Sequence, residues 1–404
     1  MIDHFHQADD PYSFLIAQRL APLRKRYWAG IRAWLVPPPD DAAAPERARL
    51  NAYARRDAPR LASEYGLSFP QRPVSPSRDA VALAQRALTA VLDGDDFAER
   101  AVEIGHALWC GDHGALARFP ARSDDAAAAA LAEGAAERTR LGHYLGGMLH
   151  HDGTWYWGVD RLSHLEEKLA ADGRDSTPDA PRLAPYRDLR LGPVPTKGRT
   201  AEIEMWFSFR SPYSWIAFPR VRRLARHYGA MLTLRPILPM VMRGLPVSPV
   251  KSLFIVRDAK READRAGLPF GPISDPVGAG AERALAVAHH SIRLGCGEDF
   301  AESALRAAWA EGVALADDAG LFATAARAGL TQSQVVAALG DESWREAAEA
   351  NRVALFEAGL WGAPTYRVNG GAAHWGQDRL WALEQDLVSE LEKADQSAPA
   401  TAAP

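Results

Sequence analysis

The stretch FSFRSPYSWIA, residues 207–217, decides the fold. It closes a run that alternates as a strand, AEIEMWFSF, and turns at once into SWIAFPRVRRLARHYG, a helical segment ended by Gly229. Ser211 stands where a helix N-cap belongs. Pro212 takes the first helical position, where a missing N–H costs nothing. A helix start gathers unpaired N–H groups and the positive end of the macrodipole, so a thiolate is stabilised there. The turn has no cysteine, and such a thiolate would come from a small-molecule thiol. The plainer alternative is a Ser-Pro cap and nothing more.

The same turn occurs near the N-terminus as DPYSFLIA, residues 10–17, with Asp10 in place of Ser211, 201 positions earlier. That offset also aligns RDAPRLASEYGLSFP with RDAKREADRAGLPFG, matching Asp57 to Asp258 and Gly66 to Gly267. DDFAERAVEIGHALW parallels EDFAESALRAAWAEG, and YWGVDRLSHLEEKL parallels HWGQDRLWALEQDL. The order of matches is kept throughout, which reads as a tandem duplication.

Each half reads as strand, helix, strand, a long helical stretch, a hairpin and a closing helix. In the second half the next strand is AMLTLRPIL, and TYRVNGGAAHWG forms two short strands about an Asn-Gly-Gly turn. The expectation is an α/β protein of two tandem thioredoxin-like domains, each with a helical insertion. The first spans 1–170 and the second 202–394. Residues 171–201, rich in Pro, Gly and charge, read as a linker, and 395–404 as a disordered tail.

Two further motifs accompany the opening turn. LWGAPTYRVNG places Ala363 and Pro364 just before the hairpin, where a cis bond suits a tight turn and would leave the Ala363 backbone free to pair with an extended ligand; the alternative is an ordinary trans proline. HWGQDRL puts Gly376, Gln377 and Asp378 at the start of the last helix, where they either cap it or bind the charged ends of a ligand.

Together, FSFRSPYSWIA, PVKSLFIVRDAKREADRAGLPF, WGAPTYRVNG and WGQDRL resemble the glutathione-dependent branch of the DsbA-like thioredoxin superfamily, the 2-hydroxychromene-2-carboxylate isomerases and kappa-class glutathione transferases. The resemblance implies that Ser211 hydrogen-bonds the sulfur of glutathione, or of another small thiol. It further implies that Lys251 lies by the glycine carboxylate, that Ala363 precedes a cis Pro364, and that Gln377 and Asp378 hold the γ-glutamyl end. Tyr213, Met240, Met242 and Arg243 are the substrate-pocket candidates. Met242 departs from the pattern, since the family often has asparagine there. The implied activity is isomerisation of a small conjugated or aromatic substrate by thiolate addition, bond rotation and elimination. A transferase, another DsbA-family enzyme of a specialised pathway, or a non-catalytic binding or scaffold protein are the alternatives. Protein disulfide exchange is disfavoured, because serines stand where both redox cysteines would be.

The first half keeps the turn but not its companions. Leu50 matches the lysine, HYLGGML has no proline, and the negative charge of Asp10 would repel a thiolate. It reads as a degenerate domain, an internal pseudo-dimer partner, with homo-oligomerisation open. In a weaker alternative its pocket binds something else, with Asp10, His143, His150 and His151 as polar candidates.

Composition sets the outer limits. The 404 residues carry 47 basic and 51 acidic side chains, so bulk charge favours no nucleic acid, and the arginines at 220, 222, 223 and 226 read as a solvated helix face. Two isolated cysteines, Cys110 and Cys296, exclude a disulfide framework. No run has the length of a membrane span and MIDHFHQADD lacks a signal core, so a soluble cytoplasmic protein is expected. No metal centre is expected: His150 and His151 have no third ligand at a metal spacing, and His289 and His290 sit in a helix.

Overall fold

The computed structural model describes residues 1–195 and 200–393. The expected tail and residues 196–199 of the expected linker lie outside the described residues. The chain divides into two compact units, Met1–Arg187 with Ser248–Phe254, and Asp188–Val247 with the chain from Ile255 onward.

The first unit opens with β1 (Ile2–His6), α1 (Pro11–Tyr27) and β2 (Ile31–Leu35). Five helices follow, α2 (Arg47–Tyr65), α3 (Arg78–Val91), α4 (Phe97–Cys110), α5 (His113–Leu116) and α6 (Asp124–Arg140). The hairpin β3 (Met148–His151) and β4 (Thr154–Trp157) then leads to α7 (Leu162–Ala171). The sheet order is β2-β1-β3-β4, with β1 parallel to β2 and antiparallel to β3.

The second unit repeats this plan with β5 (Glu202–Phe207), α8 (Pro212–Tyr228) and β6 (Met231–Pro236). Its insertion holds α9 (Pro249–Arg265), whose residues up to Phe254 group with the first unit, α10 (Ala279–Arg293), α11 (Gly297–Ala310), α12 (Asp318–Ala326), α13 (Gln332–Leu339) and α14 (Ser343–Glu357). It closes with β7 (Thr365–Val368), β8 (His374–Trp375) and α15 (Leu380–Glu392), in the order β6-β5-β7-β8. Both units are thioredoxin-like, as the sequence predicts. Along β5, Ile203, Met205 and Phe207 are fully buried and pack with Ile216, Phe218 and Val221 of α8. That apolar contact fixes the helix start at the strand's carboxyl end.

The strand ladders give an equivalence between the units that the sequence offset alone does not reach. Phe5 pairs with Met148 as Trp206 pairs with Thr365. The residues just before, Gly146 and Gly147, therefore stand in the places of Ala363 and Pro364.

The segment 171–201 departs from a linker. Its first part belongs to the first unit, where Asp175 pairs with Arg26, and the backbone N–H groups of Leu183 and Ala184 donate to Glu166 at 2.8 and 2.9 Å. From Asp188 it belongs to the second, where Arg190 and Leu191 donate to Glu384 at 2.5 and 2.6 Å. Each carboxylate also takes a tyrosine hydroxyl at 2.9 Å, Tyr27 on Glu166 and Tyr228 on Glu384. Buried carboxylates recruit backbone donors because an unpaired buried charge is expensive. Composition does not show this.

The arginine cluster also departs from expectation. Arg223 and Arg226 are exposed, but Arg220 and Arg222 are buried. Arg222 bonds Glu298 and Asp299 of α11 at 2.9 and 2.6 Å, and Glu302 as well, so it ties two helices together.

Candidate functional site

The second unit's turn is built as the sequence requires. Ser211 has an extended backbone, caps α8 and takes the N–H of Ser214 on its Oγ at 3.1 Å. Its hydroxyl donates to the carbonyl of Ala363 at 3.2 Å. The Ala363–Pro364 bond is cis, and Gly376 N–H donates to the Pro364 carbonyl at 3.0 Å. Helix start, proline loop and the approach to the last helix are thereby joined. Arg243, in the 3-10 turn Met240–Arg243, donates to the Trp361 carbonyl at 3.1 Å, and Trp361 lies against Trp375 with ring centroids 5.0 Å apart. Met240 and Met242 are half-buried in the same turn.

Three of the expected site residues have partners inside the protein. Gln377 is fully buried; its carbonyl accepts from Arg220 at 2.7 Å and its amide donates to Glu262 at 2.6 Å. Both ends of that side chain are used internally, and it is a brace for the last turn. Tyr213 donates to Asp258 at 2.8 Å, and in the first unit Tyr12 donates to Asp57 at 2.9 Å. A pair present in both units belongs to the shared fold. Lys251 falls within the first unit: its ammonium donates to the Ala43 carbonyl at 3.0 Å, and burial holds its pKa below the usual lysine range. Asp378 stays partly exposed at the start of the 3-10 turn Gln377–Arg379.

Comparing the units exposes a residue that the motifs did not single out. Ser208 and Ser211 flank the second unit's turn, where the first has Gln7 and Asp10. A Cβ added at Gly146 would lie 2.5 Å from the Gln7 side chain, and one at Gly147 would lie 2.7 Å from Asp10 Oδ2. In the first unit these two long side chains press onto a glycine pair. The Asp10 carboxylate takes Tyr12 N–H, Ser13 N–H and the Ser13 hydroxyl at 3.2, 2.9 and 2.8 Å. The helix start there is already filled by the protein's own anion, and burial raises the Asp10 pKa to about 6. In the second unit the short hydroxyl side chain of Ser211 faces Ala363. Ser208 Oγ is buried without a hydrogen-bond partner, a spare donor beside Ser211.

Residues 202–388 match the model of the DSBA-like thioredoxin domain. Residues 202–388 are thus a DSBA-like thioredoxin domain. Among solved structures similar to the chain is a 2-hydroxychromene-2-carboxylate isomerase, 23% identical, with a TM-score of 0.41 over 47% of this chain and 95% of that one. The cytosolic disulfide reductase DsbM of Pseudomonas aeruginosa is 18% identical, with a TM-score of 0.37 over 47% and 97%. The oxidoreductase DsbA of Xylella fastidiosa is 16% identical, with a TM-score of 0.32 over 50% and 89%. No curated protein matches the chain significantly. Among the described residues no helix is long and apolar enough to cross a membrane.

Proposed function

We propose that this DSBA-like domain binds a small-molecule thiol, glutathione foremost, at the start of α8 and uses it to isomerise a small conjugated or aromatic substrate. The carrying observation is the contrast between the units: a carboxylate occupies the helix start in the first, and a hydroxyl occupies it in the second. A hydroxyl can donate to a sulfur anion, whereas a carboxylate repels it. Neither cysteine stands at this turn: Cys110 ends α4 of the first unit, and Cys296 caps α11, where burial raises its pKa and disfavours the thiolate.

The thiol end of the ligand fits the site. Ser211 would turn its hydroxyl from the Ala363 carbonyl toward sulfur while its oxygen keeps the Ser214 N–H. Ser208 supplies a second hydroxyl. At the amino-acid end Gln377 does not fit, which leaves Asp378 to take an ammonium group. When bound, the thiol supplies a nucleophile that adds to a conjugated double bond and leaves again after rotation about the saturated bond. Ser211 and the α8 terminus favour its anionic form, and Arg243 holds the Met240–Arg243 turn against the proline loop. A cytoplasmic setting goes with this reading, because glutathione is kept reduced there.

Calorimetric titration with glutathione, paired with ultraviolet thiolate titration, tests the proposal. Binding at one site is expected, with affinity falling roughly tenfold and the bound thiol's pKa rising by about one unit in Ser211→Ala, the loss of one hydrogen bond to an anion. No binding of any small thiol would leave a scaffold role.

A further inference from the structure

The β3–β4 hairpin of the first unit turns through His151, Asp152 and Gly153, the last two in the left-handed region with φ of 47° and 72°. Beside it lies Asp172, the C-cap of α7. One ligand atom from each of His151, Asp152 and Asp172 falls within 4.8 Å of the others.

The state of His151 makes this more than an acidic corner. The ring is buried, 4% exposed, and its Nδ1 lies 2.9 Å from the Met1 carbonyl oxygen. A carbonyl only accepts, so Nδ1 carries the proton and Nε2 presents a lone pair in the neutral ring. That Nε2 is buried without a hydrogen-bond partner, and Asp152 Oδ2 stands 3.5 Å away. A lone pair and two carboxylates converge on one point, and the imidazole lone pair among them has no donor. An imidazole whose Nδ1–H is held by a carbonyl is the form that ligates metals. Lys168 bonds both oxygens of Asp172 at 2.7 and 2.8 Å and lies 3.9 Å from Asp152, but leaves Nε2 unmet.

The second unit shows that the fold does not demand this corner. Ladder register and helix alignment place Val368, Asn369 and Glu390 at the equivalent positions. There Asn369 donates to Glu390 at 3.4 Å, and the corner is satisfied by its own amide and carboxylate.

We propose that His151 Nε2, Asp152 and Asp172 bind one divalent transition-metal ion of the zinc class. One imidazole with two carboxylates suits zinc, cobalt or manganese better than calcium or magnesium, which prefer all-oxygen sets. Three protein ligands leave a coordination position for water. The aspartates are more exposed than the histidine, so they close on the ion by side-chain rotation while His151 stays fixed. Asp172 comes from a different element, which is why residue spacing gives no sign of the site.

The test is calorimetric titration of the full chain with zinc, with cobalt absorption as the spectroscopic readout. Cys110→Ser is the background, because Cys110 Sγ lies 3.8 Å from the His106 ring nitrogens and offers zinc another place. One ion per chain is expected. Asp152→Asn and Asp172→Asn each weaken binding at least tenfold, and Lys168→Met tightens it by removing the competing cation. His151→Ala abolishes the cobalt spectrum; the two exposed-aspartate variants carry the test if that variant fails to fold. Binding unchanged in both aspartate variants, or no saturable binding, overturns the proposal.

Discussion

At the residue scale, the two caps were legible because capping is local: a side-chain oxygen, a proline and an N–H two or three residues on. Asp10 and Ser211 fill the same role with different charge, and the substitution Ser211→Asp converts one turn into the other. The variant loses thiol binding and some stability, because Pro364 stands where Gly147 leaves room for the Asp10 carboxylate, and the Ala363 carbonyl loses its donor; retained glutathione binding in calorimetry would remove the helix start from the site. Gln377 was not legible. Its neighbours in sequence suit a ligand contact, but Arg220 and Glu262, which hold it inward, lie 157 and 115 positions away. Lys251 follows the same pattern, held by a backbone carbonyl 208 positions distant that carries no sequence signature.

At the scale of elements, strands and helices followed from periodicity and breakers, whereas the supposed linker did not. Its polar composition is that of a free segment, yet backbone N–H groups dock on Glu166 and Glu384, and every residue except proline has that donor. The paired tyrosines feel the same burial, which pushes the pKa of Tyr27 and of Tyr228 up to about 12. Replacing Glu384 with alanine leaves the Tyr228 hydroxyl and two backbone donors without their acceptor, a cost of about 3 kcal/mol. Urea unfolding should report that loss in the second unit, and hydrogen exchange should show the amides of Arg190 and Leu191 losing protection. Protection unchanged from the parent would mean that the strap is held by something else.

At the scale of the whole molecule, the repeated order of elements was readable from the offset matches, but the interior differences were not. Where β5 buries Met205 and Phe207, β1 buries His4 and His6, whose rings lie 3.2 Å apart, nitrogen to nitrogen, against Phe97. Burial lowers both pKa values, that of His6 to about 4. The unfolded chain binds these protons near pH 6.5 and the folded one resists them. The stability they contribute is therefore full above pH 6.5 and is lost as pH falls toward 4. Asp10, raised to about 6, acts in the opposite sense over an overlapping range, but two histidines outweigh one carboxylate. Acid should open the first unit before the second. The double variant His4→Met, His6→Phe should flatten the pH dependence of the first transition in calorimetric melts between pH 4 and 7, and an unaltered slope would show that other groups govern it.

The first unit's borrowed segment has a consequence in time. Phe254 packs with Phe5, Val36, Met148 and Trp155 and sets its ring 4.6 Å from that of His143, yet it is encoded well after Arg187. A chain emerging from the ribosome has made all the first unit's strands by Trp157 but cannot complete that cluster until residue 254 has left the exit tunnel. N-terminal domains commonly fold while synthesis continues. Here that cluster is completed only after part of the second half has been made.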